Sequence, residues 1–271
     1  MKRFDIDFAL VIVAALAGLA FLGSVTDTRA AVSANDPAAA SRQPRPRADP
    51  KTTPAWETLG AIRTADPGTA QDYAEAVMSF RNAADLGDPR AQVILGVMYA
   101  NGQGVRQDYL LAHMWFERGA ARGDVVAQLS LGDMYVNGRG VPKDYAEAIR
   151  WYRQAAAQGF VHAQNSLGLM YYEGRGVPKD DAEAVRWYRK AAEQDDVRAQ
   201  ASLAFMYANG LGVRRDLVEA YKWYNIASNR YVTSDREGRE IAAGERDILA
   251  ARMTPGEIGR AQKLAREWRP Q

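Results

Sequence analysis

Few residues in this chain could do chemistry. It holds two histidines, His113 and His162, and no cysteine in 271 residues. A zinc site would need carboxylates around the histidines at ligand spacing, and no H-x-x-E pattern follows either one. His113 takes the place held elsewhere by Ile149, Val185 and Tyr221, a mostly apolar position that predicts packing. His162 falls where Val126 and Arg198 stand in related segments, which predicts a surface site. The lack of cysteine removes thiol nucleophiles, disulfides and a lipidated N-terminal cysteine. The pairs Gly138-Arg-Gly140 and Gly174-Arg-Gly176 have the composition of a phosphate loop, but lack a third glycine, a Walker lysine and a preceding strand. No G-x-S-x-G is present. Asp144, Asp180 and Asp216 recur at one place ahead of apolar helical stripes, where a helix cap belongs rather than an acid–base pair. The sequence offers no catalytic, cofactor-binding or metal-ligating residue. A non-enzymatic protein without cofactors is expected.

What positions these residues is a repeat. Ala163 to Arg198 matches Ala127 to His162, Ala91 to Val126 and Ala199 to Ser234, each shifted by 36 residues without insertion. A fixed period of this size means stacked supersecondary units. In the third clear unit, Ala163, Leu167, Met170 and Tyr171 fall on one helical stripe, with the small Gly168 beside it for a close approach. Glu173-Gly-Arg-Gly-Val-Pro178 ends that helix and turns the chain. Asp180-Asp-Ala-Glu183 opens a second helix as a reciprocal cap, and the signal recurs at Asp72, Asp144 and Asp216. Ala184, Trp187, Tyr188, Ala191 and Ala192 make its apolar face, so that Trp115, Trp151, Trp187 and Trp223 form an expected core column. The fold class is therefore all-α: a right-handed α-α superhelix, or solenoid, of tandem helix-turn-helix repeats.

Before the repeats, Lys2 and Arg3 precede an apolar run from Ala9 to Gly23 and a polar stretch ending at Ala30. That is the layout of a signal peptide over residues 1–30, cut after Ala30 or Ala34, with an uncleaved anchor as the alternative. Residues 31–54 are rich in Ala, Pro and charge and read as a tether, with Arg42, Arg45, Arg47 and Lys51 making it slightly basic. Residues 55–90 fit the repeat phase as a degenerate first unit, with Ser79 at the Trp position. Four repeats follow at 91–126, 127–162, 163–198 and 199–234. Residues 235–271 form a capping hairpin whose second helix starts at the capping box Thr254-Pro-Gly-Glu257. A cleaved signal predicts periplasmic or secreted repeats, and an uncleaved anchor predicts attachment to the inner membrane with periplasmic repeats.

The third unit carries Ala163, Leu167, Gly168, Tyr171, Gly174, Gly176, Val177, Asp180, Ala184, Trp187, Tyr188, Ala191 and Ala192. In these positions the chain resembles the Sel-one-like repeat family, α-helical relatives of the tetratricopeptide repeats. The resemblance implies a scaffold or adaptor that binds another protein, possible roles including regulation of a signalling partner or envelope assembly. An alternative implication is a β-lactamase-like or peptidoglycan-binding protein, but the family members so described carry a disulfide in each repeat, and this chain has none.

In tetratricopeptide-like arrays the first helices line a concave groove. The positions facing away from the core on those helices include Val93, Val97, Leu129, Asp133, Asn165, Leu169, Tyr172 and Phe205. They are the expected partner-binding residues, with Tyr172 and Phe205 as aromatic anchors for a helix or an extended peptide. The balance of 35 basic and 33 acidic residues argues against nucleic acid. Membrane contact is expected only if the N-terminal segment stays as an anchor. The sequence leaves the oligomeric state open.

Overall fold

A 13-residue helix with one apolar stripe is too short to persist alone in water, so each must bury that stripe on a neighbour. The computed structural model describes residues 70–230 and 236–270. The expected signal peptide (1–30), the tether (31–54) and residues 55–69 of the degenerate unit lie outside the described residues. The described chain is all-helical: α1 (Ala70–Asp85), α2 (Pro89–Asn101), α3 (Tyr109–Ala120), α4 (Val125–Asn137), α5 (Tyr145–Ala157), α6 (Val161–Glu173), α7 (Asp181–Glu193), α8 (Val197–Asn209), α9 (Leu217–Arg230), α10 (Arg236–Ala250) and α11 (Pro255–Glu267). First helices α2, α4, α6 and α8 start 36 residues apart, as do second helices α3, α5, α7 and α9. These are tandem helical repeats. The chain divides into two compact units between Ala127 and Gln128.

In the first unit, Asp88 caps α2 by accepting from the N–H groups of Arg90 (2.8 Å) and Ala91 (3.2 Å), with Pro89 in the first turn. Asp108 caps α3 by accepting from Leu111 N–H at 2.9 Å. The core holds Phe80, Leu95, Met98 and Phe116. The buried Gln92 amide donates to the Ala84 carbonyl at the end of α1, satisfying a group that the helix terminus leaves open.

In the second unit the same devices recur. The first helix α6 ends at Gly174, whose φ of 69° is the left-handed conformation that closes a helix. Gly176 follows at φ 72°, and a Cβ there would lie 2.5 Å from the Tyr145 carbonyl carbon. The turn can lie on the start of α5 only because that side chain is missing. Gln164 and Gln200 donate to the carbonyls of Ala156 and Ala192, repeating the contact of Gln92. Arg153 donates to the Tyr171 hydroxyl at 2.5 Å and Arg189 to the Tyr207 hydroxyl at 3.0 Å, joining each second helix to the first helix of the next repeat.

Within each of three repeats a glycine of the first helix lies against an aromatic ring of the second. Gly132 faces Tyr152, Gly168 faces Tyr188 and, in the first unit, Gly96 faces Phe116. A Cβ at any of these glycines would stand 2.4–2.6 Å from the ring. The small residue thus admits a side-chain ring rather than a neighbouring backbone.

This contact corrects the expected tryptophan column. Tyr152 and Phe116 are fully buried and Tyr188 and Tyr224 nearly so, whereas Trp115, Trp151 and Trp187 are only half-buried. One residue along a helix turns the side chain by about 100°, so the ring that faces the glycine excludes its neighbour from the same place. The Trp side chains lie at the edge, where Arg118 covers Trp115 and Lys190 covers Trp187, each 4.6 Å from the ring centre. Of these four tryptophans only Trp223 is buried, and Trp268 packs on it edge-on at 5.6 Å.

The reciprocal cap is also corrected at the second helices. Asp144, Asp180 and Asp216 do cap α5, α7 and α9 by accepting from first-turn N–H groups. The glutamates do not reach back: Glu147 pairs with Arg150, Glu183 with Arg186 and Glu219 with Lys222 at 2.6–2.8 Å. A cation three residues on satisfies the carboxylate without bending the side chain over the helix end. Asp72 already lies within α1. The full box forms at α11, where Thr254 Oγ1 accepts from Glu257 N–H and Glu257 Oε2 accepts from Thr254 N–H at 2.8 Å. With Gln262 donating to the Tyr221 hydroxyl at 3.3 Å, α11 is fastened to the last repeat.

The glycine–ring contact predicts that Gly168→Ala, the addition of one methyl group, destabilises the protein by about 1–3 kcal/mol through overpacking against Tyr188. Urea denaturation followed by circular dichroism checks this; an unchanged midpoint would show that the ring moves aside at no cost.

Candidate partner-binding face

The eight residues expected on the partner face separate into two groups. Val93, Val97, Leu129 and Asp133 are buried and are corrected from surface to interior. Val93 packs against α3: a Cβ at Gly119 would lie 2.6 Å from its Cγ2. Asn165, Leu169 and Tyr172 are half-buried, and Phe205 is 37% exposed. Of the eight, the structure brings together Tyr172 on α6 and Phe205 on α8, whose rings meet edge-on with centres 6.1 Å apart and planes at 87°.

Asp133 is buried for a specific reason. It stands where the other repeats carry Val97, Leu169 and Phe205, and it accepts a 2.6 Å hydrogen bond from the Tyr152 hydroxyl. Tyr152 in turn bonds Ser166 of the following repeat. Burial pushes the Asp133 carboxyl up to about 6, against the opposing effects of the Tyr152 bond and the Arg139 charge. Burial, then the Asp133 charge, raises the Tyr152 hydroxyl well above its ordinary range.

The histidines hold no reactive arrangement. His113 is buried as expected, with Nδ1 3.5 Å from the Glu117 carboxylate. His162 is half-buried rather than on the surface, its ring 5.9 Å from that of Phe160, and burial lowers its pKa although Asp196 opposes this. Among the described residues no group of three or more His, Cys, Asp and Glu side chains could hold a metal ion. None of the described helices is long and apolar enough to cross a membrane.

Sequence reasoning missed the cations beside the aromatic pair. Lys179 Nζ sits 5.2 Å over the Tyr172 ring, and Arg215 Nε donates to the Ala208 carbonyl at 3.1 Å on the neighbouring first helix. A signal for them exists: Lys143, Lys179 and Arg215 recur one residue before the capping aspartates Asp144, Asp180 and Asp216.

The Sel1 repeat profile matches residues 64–88, 89–124, 125–160, 161–196 and 197–231. The chain belongs to the Sel1 repeat family. Among solved structures, this Sel1 repeat chain is similar to a protective antigen of uropathogenic Escherichia coli displaying an SLR fold, at 35% identity and a TM-score of 0.68. That match covers 78% of this chain and 44% of the antigen, so the chain spans less than half of its relative. A Sel1 repeat protein from Oxalobacter formigenes is similar at 32% identity and a TM-score of 0.59, covering 65% of this chain and 70% of the other. No curated protein matches. Sel1 repeats form helical scaffolds that are typically non-catalytic and generally mediate protein–protein interaction.

The buried carboxyl gives a pH dependence. Because the folded pKa of Asp133 is raised, its contribution to stability is fully present below the ordinary value of 3.8 and is lost as the pH rises through about 6. The shift corresponds to about 3 kcal/mol. Asp133→Asn should therefore be more stable relative to the parent at pH 8 than at pH 4 by about that amount. Urea midpoints at the two pH values test it, and equal differences would show that Asp133 titrates normally.

Proposed function

We propose that this Sel1 repeat protein is a periplasmic adaptor, non-enzymatic, that holds a segment of another protein on the first-helix face of α6 and α8. The observation that carries this reading is the Tyr172–Phe205 ring pair, an aromatic contact between two first helices in which Phe205 is exposed and Tyr172 half-buried. Leu169 extends it. Exposed aromatic side chains of this kind are the anchors that hold a peptide in a groove. The proposed location rests on the basic start, apolar run and small residues of 1–30, taken as a signal peptide, with 31–54 as a tether to the repeats and 235–271 as the terminal cap. In this reading the four buried residues of the original set, Val93, Val97, Leu129 and Asp133, shape the helices and do not touch the partner.

Placing a photoreactive residue at Tyr172 in intact cells is expected to trap one dominant protein in the periplasmic fraction. Phe205→Ser should abolish the adduct while changing the urea midpoint little, since Phe205 is over a third exposed. Crosslinks only within the chain would overturn the adaptor face, and retention in the cytoplasmic fraction would overturn the location.

A further inference from the structure

The face of α6 and α8 is bordered by turns of net positive charge. The turns at 138–144, 174–180 and 210–216 carry six basic residues, Arg139, Lys143, Arg175, Lys179, Arg214 and Arg215, against three acidic ones. The acids are Asp144, Asp180 and Asp216, and each carboxylate accepts N–H groups at the start of a second helix. Their charge is held against the positive end of a helix and offers little to a ligand. The nearby Glu173 carboxylate is held by Arg175 at 2.8 Å. Lys143, Arg214 and Arg215 are exposed, as is the Lys179 side chain at 55%, although its Nζ stands 3.3 Å from the Asp181 carboxylate, a pair that an incoming carboxylate would join or displace.

We propose that the segment held on this face is acidic: an extended peptide with an aromatic or aliphatic side chain against Leu169, Tyr172 and Phe205, and carboxylates against Lys179 and Arg215. The inference rests on the adaptor reading above and names the chemistry of its partner. Charge complementarity selects the occupant, because like charges set against each other are costly and opposite ones steer the encounter. The chain's own segment 31–54 is excluded on that ground, with Arg42, Arg45, Arg47 and Lys51 against Asp36 and Asp49. A second copy docking with the same turns would oppose cation to cation. A nucleic acid would satisfy the cations, but it needs an open ring face for stacking. Here Phe205 meets Tyr172 edge-on and Lys179 lies over the Tyr172 ring. Neighbouring packed helices lie about 10 Å apart, and an extended chain advances about 3.4 Å per residue. One basic turn per repeat therefore matches an acid at about every third residue.

Two displayed peptide libraries, alike in their apolar positions and differing only in carrying Asp and Glu or Lys and Arg between them, would be selected against the full chain. The acidic library should yield binders. Their affinity, read by fluorescence anisotropy, should fall at least about tenfold in Lys179→Glu/Arg215→Glu, fall with added salt, and be lost in Phe205→Ser. Lys263→Glu, the same reversal on α11, should leave it unchanged. Binders from the basic library alone, equal yields from both, or affinities indifferent to Lys179 and Arg215 would overturn the acidic partner. Displacement of the peptide by oligothymidylate or anionic vesicles at lower concentration than by free peptide would overturn it in favour of those ligands. Charge-indifferent binders that still fail with Phe205→Ser would leave the adaptor face standing. No binders from either library, together with a silent Tyr172 crosslink, would overturn both.

Discussion

Three of the four clear repeats depend on one contact, a ring laid on a glycine; the last carries Ala204 in the same place. Gly96, Gly132 and Gly168 let Phe116, Tyr152 and Tyr188 come closer than any side chain would allow, and that distance sets how near the two helices of a repeat lie. Close packing of this kind is felt to the last methyl group. The turn glycine Gly176 and the amides of Gln164 and Gln200 act at the next level, fixing one pair against another. The outer tryptophans then lie where the rings leave room, and cations cover two of the three half-buried ones.

Much of this was legible in the sequence, and the limits have physical causes. The period, the glycine-rich turns and the aspartate caps follow from spacing alone, because they use local backbone chemistry. Which of two adjacent aromatics faces inward does not follow. Trp151 and Tyr152 share the same 36-residue period, and both are large and partly apolar. The decision is made by Gly132 on another helix. The same reason explains the partner face: Val97 and Leu169 occupy equivalent places, yet Val97 is covered and Leu169 is half-open. Periodicity assigns a residue to a side of its helix and does not say what stands opposite. The cations at Lys179 and Arg215 were visible in the repeat, but only their placement beside Tyr172 and Ala208 gives them meaning.

Departures from the repeat show where the array is individual. Asp195 takes a left-handed φ of 71° at a position that is Gly123 and Gly159 elsewhere. A residue with a side chain pays for that conformation only where partners hold it. Gln200 donates to one Asp195 carboxylate oxygen at 3.0 Å and Arg230 to the other. Arg230 also lies 5.0 Å from the Trp268 ring, so the strained position is tied to the helices that close the chain. Asp133 is a second departure, a carboxyl in an apolar place made tolerable by Tyr152. Phe205 is a third, exposed at a place where Val97 and Asp133 are buried and Leu169 is half-buried.

The glutamines have a further consequence. Inside the second unit, Gln158 donates to Gln128 and Gln194 to Gln164, so each rung joins like to like. At the equivalent places stand Arg122 and Arg230, which turn instead to the Gly87 carbonyl and to Asp195. Each rung pairs a donor amide at the end of the second helix with an acceptor amide on the first helix of the same repeat, so it is copied whole with its unit; Arg122 and Arg230 spend their donors elsewhere. The array is thus punctuated chemically as well as covalently. A gene duplication of one unit between Gln164 and Gln200 would carry its own rung with it, whereas one placed after Arg230 would separate a guanidinium from the Trp268 ring it lies beside.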